Sequence, residues 1–252
     1  LIAHFNLKDY ETFLNNADLE DDKNLIELQK ILSRFHLLKE PFADDSNTLN
    51  KDFYNELLHI IGLEEVKEKS KSIIRRKLPE NRNQGSLLEN AITILQTKDS
   101  LRKIKNISDY GETSEERYFN VALELCITWI NRILFLKLLE SQLVGYHKGN
   151  RDYRFLNIET IPDFDELFTL FHQVLAKNFA DRSDSVKGKY KLVPYLNSSL
   201  FEISELEDST ISIESLKDTV PLPFNNSTVL KDLKTKGVTL HTLEYLFKFL
   251  DA

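Results

Sequence analysis

Residues 113–143, TSEERYFNVALELCITWINRILFLKLLESQL, decide the fold of this chain. Thr113 and Glu116 stand at the spacing of a capping box, in which side chain and backbone at a helix start satisfy one another. The most hydrophobic part of the chain follows from Tyr118, and it is long enough to cross a bilayer. Charged and polar residues interrupt it, and charges near a bilayer midplane are costly. The interruptions are Glu124, Asn131, Arg132, Lys137 and Glu140. The stretch therefore predicts a long central helix that is buried in a protein core.

Two polar residues, Asn131 and Arg132, lie inside the apolar run WINRILFLKLLE at residues 129–140. Buried polar groups need partners, so both residues are predicted to hydrogen-bond a neighbouring loop or a carboxylate. A second motif, VPYLNSSLFE at residues 193–202, combines a turn signal with apolar anchors, which is typical of a loop docked onto a core. Its candidate structural residues are Tyr195, Asn197 and Phe201.

Apolar residues at helical spacing predict further helices on both sides of the central one. They are expected in the first forty residues, over residues 53–61 up to Gly62, onward from there to Leu78, from Ser86, after Pro162 and from Thr239. Residues 191–196 and 211–213 look strand-like and lie among turn residues. The sequence thus predicts a mainly α fold, a multi-helix bundle around the central helix with a small irregular α+β subdomain near the C-terminus. We expect two parts, residues 1–147 and residues 148–252.

The composition limits the possible functions. Of the 252 residues, 41% are hydrophobic and 29% charged, with only 7 Gly and 6 Pro, which favours a helical globular protein over a disordered or turn-rich one. The formal charge of −7 argues against coating nucleic acid with the whole surface, so any such contact is expected to be local. Cys126 is the single cysteine, which favours an intracellular, cytoplasmic protein. Nothing near Leu1 resembles a signal peptide, and the chain looks like a segment of a longer protein.

Motifs for the common kinds of catalytic centre are missing from the sequence. It has no glycine-rich phosphate loop and no nucleophile elbow, and Cys126 lies in an apolar helix that disfavours a thiolate. The six histidines form no metal-binding pair at helical spacing: His4, His36, His59, His147, His172 and His241. Paired acids such as Asp163 and Glu166 stand at helix starts, where capping explains them. We therefore predict no catalytic residues, no metal ligands and no cofactor in this chain.

The strongest electrostatic signal is a basic segment at residues 67–82. Seven Lys and Arg stand there against Glu68 and Glu80, a local balance of +5. On a helix, Lys71 and Arg75 would share one side and could follow a phosphate backbone, and a second cluster at residues 102–105 could extend it. The candidate DNA-binding residues are Lys69, Lys71, Arg75, Arg76, Arg82, Arg102 and Lys103. The alternative is a solvated helix face that offsets acidic neighbours.

Together, the two motifs resemble the segment upstream of the methyltransferase domain in single-chain type IIG (type IIS) restriction-modification enzymes. That family has an Asn-Arg-(Leu/Ile)-Leu-Phe-(Leu/Ile)-(Lys/Arg) helix followed by a Pro-Tyr-Leu-Asn-(Gly/Ser)-(Gly/Ser)-Leu-Phe-Glu loop, matched here by residues 131–137 and 194–202. Residues 242–251, TLEYLFKFLD, also look like the family's lead-in to its methyltransferase. The matches follow one another in the expected order.

The resemblance implies a helical connector within a larger enzyme. The parent enzyme would use S-adenosylmethionine and Mg2+, join a nuclease to an adenine-N6 methyltransferase, and have double-stranded DNA as its partner. The family's Asn-Pro-Pro-Tyr catalytic loop and its cofactor loop are missing from this sequence, so no catalytic residues are carried over. The runner-up is a protein-interaction scaffold of a phage-defence system that does not contact DNA. A hydrolase is a third possibility, and it would need a polar pocket with converging acids. No membrane partner is expected.

Overall fold

A computed structural model describes residues 50–69 and 71–252 of the chain. The two short helices predicted in the first forty residues lie outside the described residues. Contacts divide the chain at residue 50, and Lys51–Ala252 forms one unit. The boundary predicted after residue 147 lies within this unit, and a single hydrophobic core contains residues from both sides of it.

The fold is mainly α-helical, as the sequence predicted. The first half of the unit contains α1 (Lys51–Ile61), strands β1 (Leu63–Glu68) and β2 (Lys71–Arg76), α2 (Leu87–Thr97) and α3 (Ser114–Tyr146). The second half contains α4 (Phe164–Thr169), α5 (Asp184–Lys189), α6 (Glu205–Ser209), α7 (Lys231–Thr235) and α8 (Thr242–Asp251). A π-helical turn, Leu170–Leu175, continues α4. Short 3₁₀ turns lie at Pro79–Asn81, Ser100–Lys103, Ile107–Tyr110, Arg151–Tyr153, Phe179–Asp181, Ser199–Phe201 and Ile213–Ser215.

Helix α3 is the long central helix that the sequence predicted, and its capping box is confirmed. The Thr113 hydroxyl accepts a hydrogen bond from the Glu116 amide at 3.2 Å, and the Glu116 carboxylate accepts one from the Thr113 amide at 3.0 Å. One face of α3 is buried, with Trp129 and Leu136 fully inside the core. The other face is exposed to solvent, where Leu138 keeps 66% of its accessible surface. The helix is therefore buried on one side only.

Helices from both ends of the unit pack together to close the core. Helix α2 packs along α3, and α8 packs on α1, where the rings of Phe53 and Phe249 lie 4.8 Å apart. Burying the apolar faces of these helices is the main source of their stability, because short helices are marginal in water. The core of Lys51–Ala252 is therefore closed by helices from both ends of this unit.

The helix predicted to run from residue 63 to Leu78 is wrong, because this segment is an antiparallel hairpin. β1 pairs with β2 in the register Leu63↔Arg76 through Glu68↔Lys71. Lys69 turns the chain with a positive φ of 58°. The β-branched residues Val66, Ile73 and Ile74 favour strands, and pairing satisfies the backbone of a segment that has no continuous apolar helix face.

The strands predicted at residues 191–196 and 211–213 are also wrong. Residues 191–196 form a loop held by the buried Arg182, whose guanidinium donates to the Val193 carbonyl at 3.0 Å. The Leu196 amide donates to the Leu175 carbonyl at 2.9 Å, so the loop is fastened without a partner strand. In this part of the described structure the strand-like pairing is a single bridge, Leu222↔Leu240. The predicted α+β subdomain is irregular and helical instead.

The start of α8 differs from the prediction as well. Its N-cap is His241 rather than Thr239, and the His241 side chain makes no capping hydrogen bond. The carboxylate of Asp218 accepts from the first free amides, those of Thr242 at 2.9 Å and Leu243 at 3.2 Å. A remote side chain therefore does the capping, which local sequence does not reveal.

Candidate functional site

The two sequence motifs meet at Arg132, on the buried face of α3. Its guanidinium donates to both carboxylate oxygens of Glu207, at 2.6 and 2.7 Å. It also donates to the carbonyls of Leu200 at 2.6 Å and Glu202 at 2.8 Å. The side chains of Arg132 and Glu207 are 1% and 0% exposed. We call Arg132, Glu207 and the two carbonyls the arginine node.

Glu207 belongs to the arginine node and to the start of α6 at once. Its carboxylate accepts from the Ser204 amide at 2.9 Å, which completes a capping box, and from the Trp129 indole at 2.8 Å. Burial alone would raise the pKa of Glu207, but the hydrogen bonds from Arg132 and the Ser204 amide hold that pKa below its usual value. Glu207 is therefore a charged structural acceptor rather than a proton donor.

The loop at residues 193–202 is fixed to the core beside the arginine node by Phe201. The Phe201 side chain is fully buried and lies 6.0 Å from the ring of Phe171 and 5.8 Å from that of Phe135. Its carbonyl accepts a hydrogen bond from Nδ1 of His172 at 2.7 Å. Tyr195 and Asn197 lie nearer the surface and hydrogen-bond each other at 3.0 Å. Phe201 is thus the apolar anchor of this loop.

Two further residues of the α3 motif fasten other parts of the chain. The Glu140 carboxylate is buried and accepts from the backbone amides of Phe155 at 2.7 Å and Leu156 at 2.6 Å. Lys137 bridges Glu140, at 3.2 Å, to Asp251 in α8. One helix therefore holds three separate segments by polar contacts to its buried and half-buried side chains.

Asn131 does not belong to the arginine node, and the prediction that it is buried is wrong. Its side chain is exposed and makes no hydrogen bond to any residue that the structure describes. Successive residues of a helix point 100° apart, so burial of Arg132 turns Asn131 toward solvent. It lies among exposed apolar residues of the same face, Ile127, Phe135 and Leu138.

Three of the predicted DNA-binding arginines are engaged by carboxylates. Arg75 pairs with Glu64 at 3.0 Å. Arg76 binds the buried Glu89 through two hydrogen bonds of 2.7 Å. Arg82 lies 3.9 Å from the same carboxylate and donates to the Lys77 carbonyl. The structure thus brings Arg76 and Arg82 together, but around an internal anion rather than on an open basic face.

The other predicted DNA-binding residues fall at two separate places in the chain. Lys69 and Lys71 lie at the exposed end of the hairpin. Arg102 and Lys103 lie in the 3₁₀ turn after α2, where Arg102 pairs with Asp99 at 2.5 Å. The seven candidates therefore do not form the single helix face that the sequence suggested.

A polar cleft of about 530 Å³ lies between β2, α2 and the start of α3. Its lining includes Arg76, Arg82, Glu89, Glu115 and Tyr118. The Glu89 carboxylate is already bound by Arg76 and lies 3.9 Å from Arg82, so it is engaged in internal ion pairs. Elsewhere, burial raises the pKa of the Cys126 thiol, which disfavours a nucleophilic thiolate. Among the described residues, no group of three or more His, Cys, Asp or Glu is placed to hold a metal ion.

Sequence reasoning missed Glu207, Lys137 and Glu140 as anchors. The spacing of Ser204 and Glu207 is itself a capping-box signal, and it could have placed a helix start at α6. The pairing of Glu207 with a residue 75 positions earlier has no local signature. Only the fold brings these groups together.

Comparison with known proteins gives family matches without a function. Residues 46–252 match the profile of a family described as a domain of unknown function (DUF7814), and residues 1–45 match another such family (DUF7149). No curated protein and no solved structure matches the chain. Within residues 50–69 and 71–252, no helix combines the length and the apolar character needed to span a lipid bilayer.

Proposed function

Because the chain belongs to the DUF7814 family, whose function is unknown, we propose its role from its motifs and its contacts. We propose that it is a non-catalytic helical connector of a bacterial type II restriction-modification enzyme. The parent would carry a Mg2+-dependent nuclease and an S-adenosylmethionine-dependent adenine-N6 DNA methyltransferase on either side. The observation that carries the proposal is the arginine node, because it joins the two motifs that resemble this enzyme family.

The arginine node suits a connector because it is rigid and closed to substrate. Residues 131–137 and 194–202 are far apart in sequence, yet Arg132 binds the backbone of the second motif directly. A buried pair in which every nitrogen and oxygen has a hydrogen-bond partner favours one arrangement of the elements around it. A connector needs this property, since it must hold flanking domains at a constant separation over one duplex.

The third fastening point supports the same role. Helix α8 contains the segment that resembles the lead-in to the methyltransferase, and Lys137 of α3 pairs with Asp251 near its end. Through α3, the lead-in helix is thereby tied to the rest of the unit. In the proposed parent enzyme, this contact would orient the methyltransferase relative to the connector, in the cytoplasm and on double-stranded DNA.

The second candidate, a protein-interaction scaffold of a phage-defence system, has its own supporting observation. The solvent face of α3 exposes Ile127, Phe135 and Leu138, and Ile203 lies exposed in the chain after the docked loop. Contiguous exposed apolar side chains commonly mark contacts with other proteins. A scaffold would use this face and would leave DNA unbound.

The experiment that separates these proposals uses the natural full-length protein. It should methylate duplex DNA with S-adenosylmethionine and cleave DNA with Mg2+. Replacing Arg132 by Met should lower both activities together, because it loosens the placement of the domains without touching either active site. The matched control Arg151→Met, at an exposed position outside the predicted DNA-binding residues, should leave both unchanged. If the full-length protein has neither activity, the connector proposal is wrong. Loss of only one activity in Arg132→Met would also contradict it.

A further inference from the structure

The hairpin formed by β1 and β2 is held at its base and exposed over its outer part. Leu63 is buried at the start of β1, and Arg76 at the end of β2 is tied to Glu89 of α2. Residues 67–69 and 71–74, in contrast, are all exposed. The outer hairpin is therefore a ribbon that presents its side chains to solvent.

The charge of this outer ribbon is positive although the whole chain is acidic. Lys67, Lys69 and Lys71 make no ion pair with any residue between 50 and 252 that the structure describes. Arg75 is shared by Glu64 and Glu68. Residues 67–74 carry three lysines against the single carboxylate of Glu68, a local balance of +2 on a chain whose formal charge is −7. The unpaired charge is concentrated where the two strands turn.

Apolar side chains accompany the lysines on both faces of the ribbon. Ile73 lies opposite Val66, and Ile74 lies opposite Glu65 on the other face. Ile73 and Ile74 are 40% and 52% exposed. A two-stranded hairpin alone is marginally stable in water, so exposing both isoleucines costs stability that contact with a partner would restore.

We infer that this ribbon is a docking element for double-stranded DNA, in which Lys67, Lys69 and Lys71 neutralise phosphates while Ile73 and Ile74 contact the groove wall. The DNA major groove admits a two-stranded β-ribbon. Lysines that contact phosphates fix position without reading sequence. The choice of DNA over an acidic protein as the partner rests on the proposed function. The exposed position of the three lysines is observed independently of that function.

The experiment measures binding of the protein to a labelled duplex of arbitrary sequence by fluorescence anisotropy over a range of salt concentrations. In the variant Lys67→Glu, Lys69→Glu, Lys71→Glu, three phosphate contacts are lost. Between about 50 and 200 mM salt, the wild-type affinity should fall about 40-fold more than that of the variant, since each phosphate contact contributes about 0.9 to the salt slope.

The matched control reverses three exposed lysines on and beside α7, Lys231, Lys234 and Lys236. It changes the net charge equally and should keep the wild-type salt slope. Replacing Ile73 and Ile74 by Ser should weaken binding without changing the slope, because no charge is removed. Circular dichroism on each variant checks the fold, and Lys→Gln versions of the three tip lysines repeat the test without adding negative charge.

Equal salt slopes for the wild type and the hairpin variant would overturn the inference, as would absence of duplex binding at low salt. A loss of slope in the α7 control as large as that in the hairpin variant would do the same. The two salt-slope outcomes leave the connector proposal standing, since that proposal fails on the missing activities of the full-length protein. If duplex binding depends on the hairpin but the full-length protein has neither methyltransferase nor nuclease activity, the connector proposal fails and the inference about the hairpin stands.

Discussion

Replacing Arg132 by Met should destabilise the fold by about 3–5 kcal/mol, because it leaves Glu207 buried without its cation. The wild-type guanidinium donates four hydrogen bonds, to both oxygens of Glu207 and to two backbone carbonyls. The site is sealed from solvent, so water cannot replace these donors. Glu207→Leu should cost a similar amount for the complementary reason, a buried guanidinium that lacks its anion.

The double variant Arg132→Met, Glu207→Leu removes both charges and should lose less stability than the two single variants added together. It is not expected to match the wild type, because the carbonyls of Leu200 and Glu202 lose their donor. A buried polar group without a partner costs about 1–3 kcal/mol. We expect the double-mutant cycle to give a coupling energy of at least about 2 kcal/mol.

Urea unfolding followed by the fluorescence of Trp129 measures these effects directly. Trp129 is the single tryptophan of the chain, and its indole donates to Glu207 at 2.8 Å. The matched control is Arg102→Met, whose side chain is 83% exposed and pairs with Asp99 on the surface. It should change the stability by less than about 1 kcal/mol. Additive losses in the double-mutant cycle would refute the coupling at the arginine node.

The arginine node should also give the stability a dependence on pH. Burial raises the pKa of Glu207, but the hydrogen bond and charge of Arg132 outweigh burial and leave the folded-state pKa below the ordinary value of 4.5. As the pH falls, the unfolded state therefore takes up the proton first. The stabilisation is present above pH 4.5 and disappears as the pH falls through the folded-state pKa. Glu207→Gln should remove this part of the acid sensitivity.

Three further predictions concern separate parts of the fold. Thr113→Ala should lower the stability by about 1 kcal/mol through loss of the α3 cap, whereas Ser114→Ala beside it should have a smaller effect in the same unfolding assay. Glu56→Gln should keep the stability within about 1 kcal/mol of wild type or raise it. The reason is that one carboxylate oxygen of the buried Glu56 has no described hydrogen-bond partner. A loss of stability above about 2 kcal/mol would contradict this. His59 should titrate with a pKa of about 4 by NMR, because burial and, to a smaller extent, the charge of Lys77 lower its pKa. Its contribution to the stability of the fold is therefore complete above pH 6.5 and is lost as the pH falls toward 4. A measured pKa near 6.5 would contradict this prediction.

The parts of the fold that the sequence predicts are those with local causes. The capping box at Thr113 and Glu116 and the apolar run after it require only neighbouring residues, and α3 begins where they indicate. Burial of Arg132 also follows from its apolar surroundings, together with the need for a partner. The identity of that partner could not be predicted, because Glu207 is brought close only by the packing of α6 against α3.

The hairpin shows why other elements were missed. Residues 63–76 alternate Glu and Lys at spacings that also suit a helix, and their turn lacks the Gly or Asn that usually marks a two-residue hairpin loop. The neglected signal was the β-branched content at Val66, Ile73 and Ile74. The prediction that Asn131 is buried was wrong for another reason. In a long helix, hydrophobic neighbours do not show which face points to solvent.

The three polar anchors of α3 fix the spacing of residues along this helix as well as supporting the fold. Arg132, Lys137 and Glu140 each reach a different segment, and every residue inserted between them would move the later anchors by 1.5 Å and rotate them by 100°. Loops elsewhere in Lys51–Ala252 can lengthen without disturbing the fastening points. We therefore expect insertions to be tolerated between the fastened segments but not within residues 132–140.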